Sequence, residues 1–252
     1  LHTWSLGIEE QYYFLFPLLI LLFWRTGKKN LPPLLTTTLI LSLFISEYAV
    51  RYHPSASFFL IPTRAWEFLV GSLLAFIAFK NIIPHQYFSL KTNQTLSVIG
   101  LTLLIFPVFI FSEGTPFPGL YALVPVIGTA LIIVFSYPGT FTSKLLSHKL
   151  IVGIGLISYS AYLWHQPLFA FTRIYWVDQP QQYVFFILTL LTLPLAFLTW
   201  KFVERPFRNK ITFSRHQVFS LSSVGILFFT AVGVIGYYQH GFPGRLSAHQ
   251  QA

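Results

Sequence analysis

Residues 4–24 read WSLGIEEQYYFLFPLLILLFW, a short polar segment that leads into an apolar run from Tyr12 to Trp24. The polar segment places Glu9, Glu10 and Gln11 at the start of that run. Charges at the beginning of a membrane span are costly unless they face a cavity or a partner. The stretch therefore predicts a membrane helix with a polar site at its beginning.

The composition indicates that the whole chain resembles this stretch. Its 252 residues are 54% hydrophobic, 19% aromatic and only 9% charged, with a mean hydropathy of +0.65, whereas a soluble domain has about 25% charged residues. The formal net charge is +9, but the basic residues lie between apolar runs. We attribute them to orientation in the bilayer, and we expect no nucleic-acid partner.

Several kinds of chemistry are excluded by residue types that the chain lacks. It contains no Cys, so it has no thiolate nucleophile, disulfide framework or Cys-based metal site. The sequence also shows no zinc-ligand spacing, P-loop or dinucleotide fingerprint. We therefore expect no bound metal or cofactor.

Eight apolar runs are predicted to cross the membrane, for which about 20 residues are needed. They span residues 9–24, 34–52, 57–79, 95–111, 119–137, 150–171, 181–202 and 217–238. The run 95–111 is the weakest because it is short and contains Pro107. The predicted fold is an all-α polytopic transmembrane bundle of about eight helices.

The basic residues predict the orientation of these spans. Twelve of the sixteen fall in one set of alternate loops, and the positive-inside rule makes that set cytoplasmic. Residue 1 and the tail 239–252 then lie outside the inner (plasma) membrane, and residues 1–238 form the transmembrane domain. The twelve are Arg25, Lys28, Lys29, Lys80, Lys91, Lys144, Lys149, Lys201, Arg205, Arg208, Lys210 and Arg215, and the other four are Arg51, Arg64, Arg173 and Arg245.

Glu9 and Glu10 are the first candidate site residues. Two carboxylates, Gln11 and two tyrosines within five residues favour a site that faces inward, and Glu9 shares a helix face with Tyr13. A carboxylate there could orient a histidine or bind a sugar hydroxyl. The alternative is a helix start at the outer interface, where acidic residues complement the helix dipole.

Arg64 and Glu67 are a second candidate pair, three residues apart. In a helix that starts near Ser57 they would lie roughly 10 Å and 15 Å along the axis, inside the bilayer. They would form an ion pair, which is either structural only or also part of a substrate pocket. Gly71 lies on the same face, where a neighbouring helix could approach closely.

Ser158, Tyr162 and His165 form a polar stripe at positions i, i+4 and i+7 of one predicted helix. His165 could act as a general base or bind an acyl or sugar oxygen. The alternative is a hydrogen-bonded structural histidine. A serine triad is disfavoured because no nucleophile elbow is present.

Arg205 and Arg208 lie at a predicted cytoplasmic helix end, in the basic segment 202–210. They either anchor the chain to anionic membrane lipid or contact the phosphates of an acyl donor. Glu47 and Arg51, four residues apart near an outer boundary, are interpreted as an interfacial ion pair without function.

The predicted intramembrane charges share a location. Glu9, Glu10, Arg64 and His165 fall in the outer half of the bilayer, with Glu67 near its middle. Because such charges face a protein interior or a watery cavity, we expect a cavity that opens outward.

Four separated segments resemble the membrane acyltransferase 3 family in the expected order, and Leu120–Pro125 is a further similar stretch. Trp4–Phe14 fits the signature W-S-L-x-x-E-E-Q-F/Y-Y, and Ser158–Pro167 contains the run S-Y-S-x-Y-L-W-H-x-P. Pro62–Gly71, Leu120–Pro125 and Phe202–Arg208 add to the likeness. The resemblance spans essentially the whole chain.

The resemblance implies transfer of an acyl group, commonly acetyl, from a coenzyme A thioester to hydroxyls of lipopolysaccharide O-antigen, peptidoglycan or another envelope glycan. A basic-residue-and-histidine motif of the family lies in its first membrane helix. We expect that helix to precede this sequence and to supply the histidine that deprotonates the acceptor hydroxyl. We expect three helices before residue 1 and an outer SGNH-type domain after the tail, as in some members.

The candidate residues fall into three predicted roles. The catalytic candidates are Glu9, Glu10 and His165, the substrate-binding candidates are Trp4, Ser5, Tyr13, Arg64, Glu67, Ser158 and Tyr162, and the acyl-donor-binding candidates are Arg205 and Arg208. The leading alternative function is a transporter or flippase for a glycan or lipid-linked carrier, which kinked helices and a midplane ion pair also fit. A structural or sensory membrane module is the third interpretation.

Overall fold

The computed structural model describes residues 3–25, 27–80, 84–112, 114–176, 181–209 and 213–241, and the regular elements within these ranges are all helical. The helices are α1 (Trp4–Trp24), α2 (Leu31–Tyr52), α3 (Pro54–Phe59), α4 (Ile61–Phe79), α5 (Leu90–Ile110), α6 (Leu123–Phe135), α7 (Phe141–Leu146), α8 (Lys149–Tyr175), α9 (Gln182–Thr199), α10 (Arg205–Arg208) and α11 (Arg215–Tyr238). A π-helical turn, Trp200–Glu204, joins α9 to α10. Of the predicted tail, residues 242–252 lie outside the described ranges.

The predicted all-α membrane fold is confirmed. Six helical stretches in the described residues are long and apolar enough to cross a membrane, namely α1, α2, Pro54–Phe79, α5, Gln182–Arg208 and α11. Pro107 does not shorten α5, which runs for 21 residues to Ile110. The predicted fifth span is the shorter helical stretch Leu120–Phe135. The predicted sixth, α8, has 27 residues but is less apolar because of its polar residues between Ser158 and Gln166.

Side-chain caps set several helix starts. Ser89 and Thr140 accept backbone N–H groups at the starts of α5 and α7. Ser214 and Gln217 form a reciprocal capping box at the start of α11. These bonds satisfy N–H groups that have no partner within the helix.

The segment around Leu60 differs from the prediction of one helix from Ser57. Leu60 is extended, with φ −101° and ψ 140°, so α3 ends at Phe59 and α4 begins at Ile61. Pro62 lacks the N–H that a continuous helix would donate to residue 58. The single hydroxyl proton of Thr63 Oγ1 is instead shared between the carbonyls of Ser57 (2.8 Å) and Leu60 (2.6 Å) in a three-centre hydrogen bond. Arg64 therefore lies in the first turn of α4, only roughly 5 Å along its axis.

The chain forms two compact units, residues 1–154 and 155–252. In the first unit, Tyr12, Leu31, Leu35 and Leu69 build a hydrophobic core from α1, α2 and α4. The Tyr12 hydroxyl is hydrogen-bonded to Ser72 Oγ at 2.9 Å. Helices α5 and α6 cross closely at glycines, because a Cβ on Gly100 would lie 2.8 Å from the carbonyl oxygen of Gly128.

Glu47 and Arg51 form the predicted ion pair, and Glu47 also contacts the segment before α6. Its Oε2 accepts a hydrogen bond from the backbone N–H of Leu120 at 2.9 Å. The interpretation as an interfacial pair alone is therefore incomplete, because Glu47 fixes the start of the Leu120–Phe135 stretch to α2.

In the second unit, side chains of α8 reach α9 and the turn that follows it. Trp164 Nε1 donates to Thr199 Oγ1 at 2.9 Å, and Ser160 Oγ donates to Glu204 Oε1. Nearer the other end, Phe169 and Phe185 pack edge to face at 5.3 Å. The described side chains of α11 include none that is buried, as expected of a helix whose apolar surface faces lipid.

Candidate functional site

Trp4, Arg64 and Glu67 form one cluster in the first unit. The Arg64 guanidinium carbon lies 5.3 Å from the centroid of the Trp4 ring. The same guanidinium binds Glu67 through two bonds, Nη2 to Oε2 at 2.8 Å and Nε to Oε1 at 3.2 Å. The structure thus joins the first residue of the Trp4–Phe14 segment to the predicted ion pair of α4.

Local structure explains why these three side chains meet. Arg64 and Glu67 are three residues apart in α4 and so share a helix face. Trp4 begins α1 and packs against Phe58 of α3, with ring centroids 3.9 Å apart and the ring planes tilted by 38°. The corner at Leu60 directs α3 away from the axis of α4, and Thr63 holds that corner with its three-centre hydrogen bond.

The ion pair is largely removed from solvent. The Arg64 and Glu67 side chains are 14% and 17% exposed. A bidentate pair of this kind is strong and geometrically specific, and removal of one partner leaves a costly unpaired charge. Each Glu67 oxygen keeps a further lone pair, so the pair can still accept a hydrogen bond from a substrate hydroxyl.

A cleft of about 270 Å³ lies between α4 and α6, with Glu67 at its edge. Its lining is apolar except for Glu67 and Thr129, and Gly71 forms part of its wall. The expected close approach of another helix at Gly71 is wrong for the described residues, because a Cβ there would meet none of their atoms within 4 Å. The glycine opens space beside the ion pair instead.

The two carboxylates of α1 have different surroundings. Ile8 and Tyr12 are buried on the face of α1 that packs in the first unit. Glu9 and Ser5 are half-buried, whereas Glu10 and Tyr13 are exposed. The described part of the first unit therefore does not enclose Glu10 or Tyr13, and the cavity expected around them stays a prediction.

The predicted stripe of α8 divides into two environments. Ser158 is exposed, and its hydroxyl bonds the Gly155 carbonyl of its own helix at 2.8 Å. Tyr162 and His165 are half-buried. His165 Nδ1 lies 2.7 Å from the backbone oxygen of Tyr162. Because a carbonyl only accepts, Nδ1 carries the proton, and a neutral ring then has its basic lone pair on Nε2.

Arg205 and Arg208 follow the π-helical turn. The Arg205 guanidinium carbon lies 5.9 Å from the Trp200 ring centroid, and Arg208 Nη2 lies 3.8 Å from Glu204 Oε2. Sequence reasoning missed Glu204 and Ser160, which join α8 to this turn. The available signal was an acidic residue directly after an apolar span, beside a serine-rich stretch of the preceding helix.

Comparison of the chain with known proteins identifies a family and several named relatives. The profile of the acyltransferase domain family matches residues 1–201. A Staphylococcus aureus (strain COL) protein named "Putative O-acetyltransferase SACOL0978" is 33% identical over 221 residues. The "O-acetyltransferase OatA" of S. aureus strain NCTC 8325 is 35% identical over 218 residues. These matches cover 83% of this chain but only 36% of each relative. No solved structure matches the chain.

Proposed function

The chain belongs to the acyltransferase domain family, and we propose that the protein is a multi-pass membrane O-acetyltransferase of the cell envelope. It transfers an acyl group, acetyl in the first instance, from acyl-CoA to hydroxyls of an envelope polysaccharide, either peptidoglycan or lipopolysaccharide O-antigen. Relatives that are named O-acetyltransferases support the type of reaction. The chain spans about a third of their length, so the activity is proposed for the full-length protein.

The observation that carries the proposal is the contact of Trp4 with the Arg64–Glu67 pair. Two segments far apart in the sequence, both of which resemble the acyltransferase 3 family, meet at one partly buried polar cluster. Charged groups within membrane spans are expensive and generally functional. A structural pair alone would not require the first residue of the Trp4–Phe14 segment to stack on the guanidinium.

The reaction needs a base for the acceptor hydroxyl and stabilisation of the developing oxyanion. The hydroxyl oxygen forms a new C–O ester bond, the thioester C–S bond breaks, and the hydroxyl proton passes to the base while the CoA thiolate departs. His165 offers Nε2 as a base or as a ligand for an acyl or sugar oxygen. Glu9 and Glu10 orient the acceptor hydroxyl or balance the charge of a basic group.

The remaining candidates bind the two substrates. Trp4, Ser5 and Tyr13 on α1, together with the Arg64–Glu67 pair, contact the acceptor glycan. Ser158 and Tyr162 contact a substrate from α8. Arg205 and Arg208 bind the phosphates of acyl-CoA from the cytoplasmic side, because guanidinium groups bind phosphate through paired hydrogen bonds.

The proposal is tested in a deletion strain complemented with full-length protein. Ester-linked acetate is measured on purified peptidoglycan and on purified O-antigen. We expect acetate to be lost in the deletion, restored by wild type, and not restored by Glu9→Gln, Glu10→Gln or His165→Ala at normal abundance in the membrane. Thr189→Val is the control, because its hydroxyl bonds only a carbonyl of its own helix, Phe185, at 2.8 Å.

Two outcomes would contradict this proposal, one its reaction type and the other its residue roles. Unchanged acetate with reduced glycan export in the deletion strain would favour the transporter or flippase. Full acetate with all three variants would remove the assigned roles of Glu9, Glu10 and His165 while leaving the activity in place.

A further inference from the structure

Glu204 is a largely buried carboxylate to which the proposed reaction assigns no role. It ends the π-helical turn Trp200–Glu204, and its side chain is only 10% exposed. Ionisable groups within membrane-spanning stretches are costly, so each one calls for a partner and a purpose. The family profile ends at residue 201, so it gives no account of this side chain.

The hydrogen-bonding capacity of Glu204 is only partly satisfied. Ser160 Oγ donates to Oε1, while Oε2 is buried and has no hydrogen-bond partner among the described residues. Arg208 Nη2 lies 3.8 Å from Oε2, which is within ion-pair range but too long for a hydrogen bond. A buried carboxylate needs charge compensation, and Arg208 is the cation that supplies it.

The turn that carries Glu204 is fixed to α8 at both ends. Thr199, directly before the turn, accepts from Trp164 Nε1 at 2.9 Å, and Glu204 at its end accepts from Ser160. A π-helical turn contains one residue more than an α-helical turn, so it rotates the following side chains by about 100°. The direction of the Arg205 and Arg208 side chains therefore depends on this anchored turn.

The two arginines are placed to act together. They are three residues apart and share a face of α10. Arg205 lies over the Trp200 ring at 5.9 Å. Arg208 is 72% exposed, so most of its guanidinium is accessible from outside the protein. The guanidinium fork can contact a carboxylate on one edge and a phosphate on the other.

We propose that Glu204, held by Ser160, is a positioning residue for the acyl donor, which keeps Arg208 and Arg205 directed at the phosphate groups of acyl-CoA. The inference rests on the proposed function, since it assumes an acyl-CoA donor. Glu204 itself does not touch the reacting atoms. Its removal should weaken binding of the donor and leave the chemical step intact.

The test uses full-length protein in inside-out membrane vesicles that carry the native acceptor, with radiolabelled acetyl-CoA as the varied substrate. For Glu204→Gln we expect the KM for acetyl-CoA to rise about tenfold with kcat within about twofold of wild type, because ground-state and transition-state binding are lost equally. Ser160→Ala should change the KM in the same direction. The KM of the double variant should be close to that of either single variant, because both substitutions act through the same contact.

Control variants distinguish a positioning role of Glu204 from a general effect of substitution on folding. Thr189→Val removes a hydroxyl that bonds only its own helix and should keep the wild-type KM. Binding of desulfo-CoA, which cannot react, should weaken with Glu204→Gln by the same factor as the KM rises. Ser160→Ala keeps the carboxylate and serves if Glu204→Gln does not insert.

Three results would overturn the inference: an unchanged KM in both variants, a loss confined to kcat, or an unchanged affinity for desulfo-CoA. Failure of the proposed function would be recognised by a different result: vesicles with the wild-type protein would incorporate no acetyl from acetyl-CoA. If the wild-type protein transfers acetyl and the variants have an unaltered KM, only the proposed role of Glu204 is contradicted.

Discussion

At the scale of single residues, Arg64 is held on two sides. The Trp4 ring contacts its face and Glu67 engages its edge through two hydrogen bonds. A guanidinium stacks on an aromatic ring and binds a carboxylate at the same time, which a lysine ammonium does not do with equal geometry. Arg64 therefore links the start of α1 to α4.

We expect Arg64→Gln and Glu67→Gln each to lower the stability of the full-length protein in detergent by about 1–3 kcal/mol, because each leaves a partly buried charge unpaired. The double variant should lose less than the sum of the two, since two neutral amides can bond each other. Thermal unfolding of all three variants measures this coupling. Strictly additive losses would show that the two side chains do not interact.

A second residue-scale prediction isolates the aromatic contact of Arg64. Trp4→Leu keeps apolar volume beside Phe58 but removes the ring face, so we expect a loss of about 0.5–2 kcal/mol. Trp4→Phe, which retains a ring, should lose less. The melting temperatures of Trp4→Leu and Trp4→Phe are compared twice, once in the otherwise wild-type protein and once in the protein that also carries Arg64→Gln. The difference should become smaller in Arg64→Gln, where no cation remains and only the ring contacts of Trp4 with Phe58 and Phe59 are left.

At the scale of elements, two glycines in neighbouring helices have opposite surroundings. A Cβ on Gly100 would lie 2.8 Å from a backbone oxygen of α6, whereas a Cβ on Gly71 would meet no atom within 4 Å in the part of the chain that the structure describes. Backbone cannot move aside as a flexible side chain can, so overpacking at Gly100 forces α5 and α6 apart.

We expect Gly100→Ala to destabilise the protein by about 1–3 kcal/mol. Gly71→Ala should be neutral or stabilise it by up to about 1 kcal/mol, because alanine is the better helix former. Both are helical glycines changed by one methyl group, so each controls for the other in thermal unfolding. Equal melting temperatures would contradict the close crossing of α5 and α6.

The sequence predicted the helices well because most of the apolar runs are long and have few charges. It did not predict the break at Leu60, which depends on the missing N–H of Pro62 and on the three-centre hydrogen bond of Thr63. It paired Arg64 with Glu67 because their spacing is local. The contact of Ser160 with Glu204 joins residues 44 positions apart, and the π-helical turn has no periodic signal, so neither could be derived from spacing.

At the scale of the whole molecule, the side of the membrane on which Arg205 and Arg208 lie depends on every span before them. The stretch Leu120–Phe135 is the critical one. Its 16 residues extend about 24 Å as a helix, less than the hydrocarbon thickness of about 30 Å. If this stretch does not cross, all later spans change direction, and the two arginines face away from cytoplasmic acyl-CoA.

We expect the stretch to cross, with Ser112 outside and Ser147 in the cytoplasm. These 252 residues contain no Cys, and both serines are exposed. In a full-length protein whose other segments have been cleared of any Cys, Ser112→Cys and Ser147→Cys therefore introduce single reporter thiols at the two ends of the stretch. In intact cells, or in spheroplasts where an outer membrane is present, a membrane-impermeant maleimide should label Ser112→Cys and spare Ser147→Cys until the membrane is permeabilised. Labelling of both from outside would make the stretch re-entrant. The positive-inside assignment of Lys144 and Lys149 would then be wrong, and with it the acyl-donor roles of Arg205, Arg208 and Glu204.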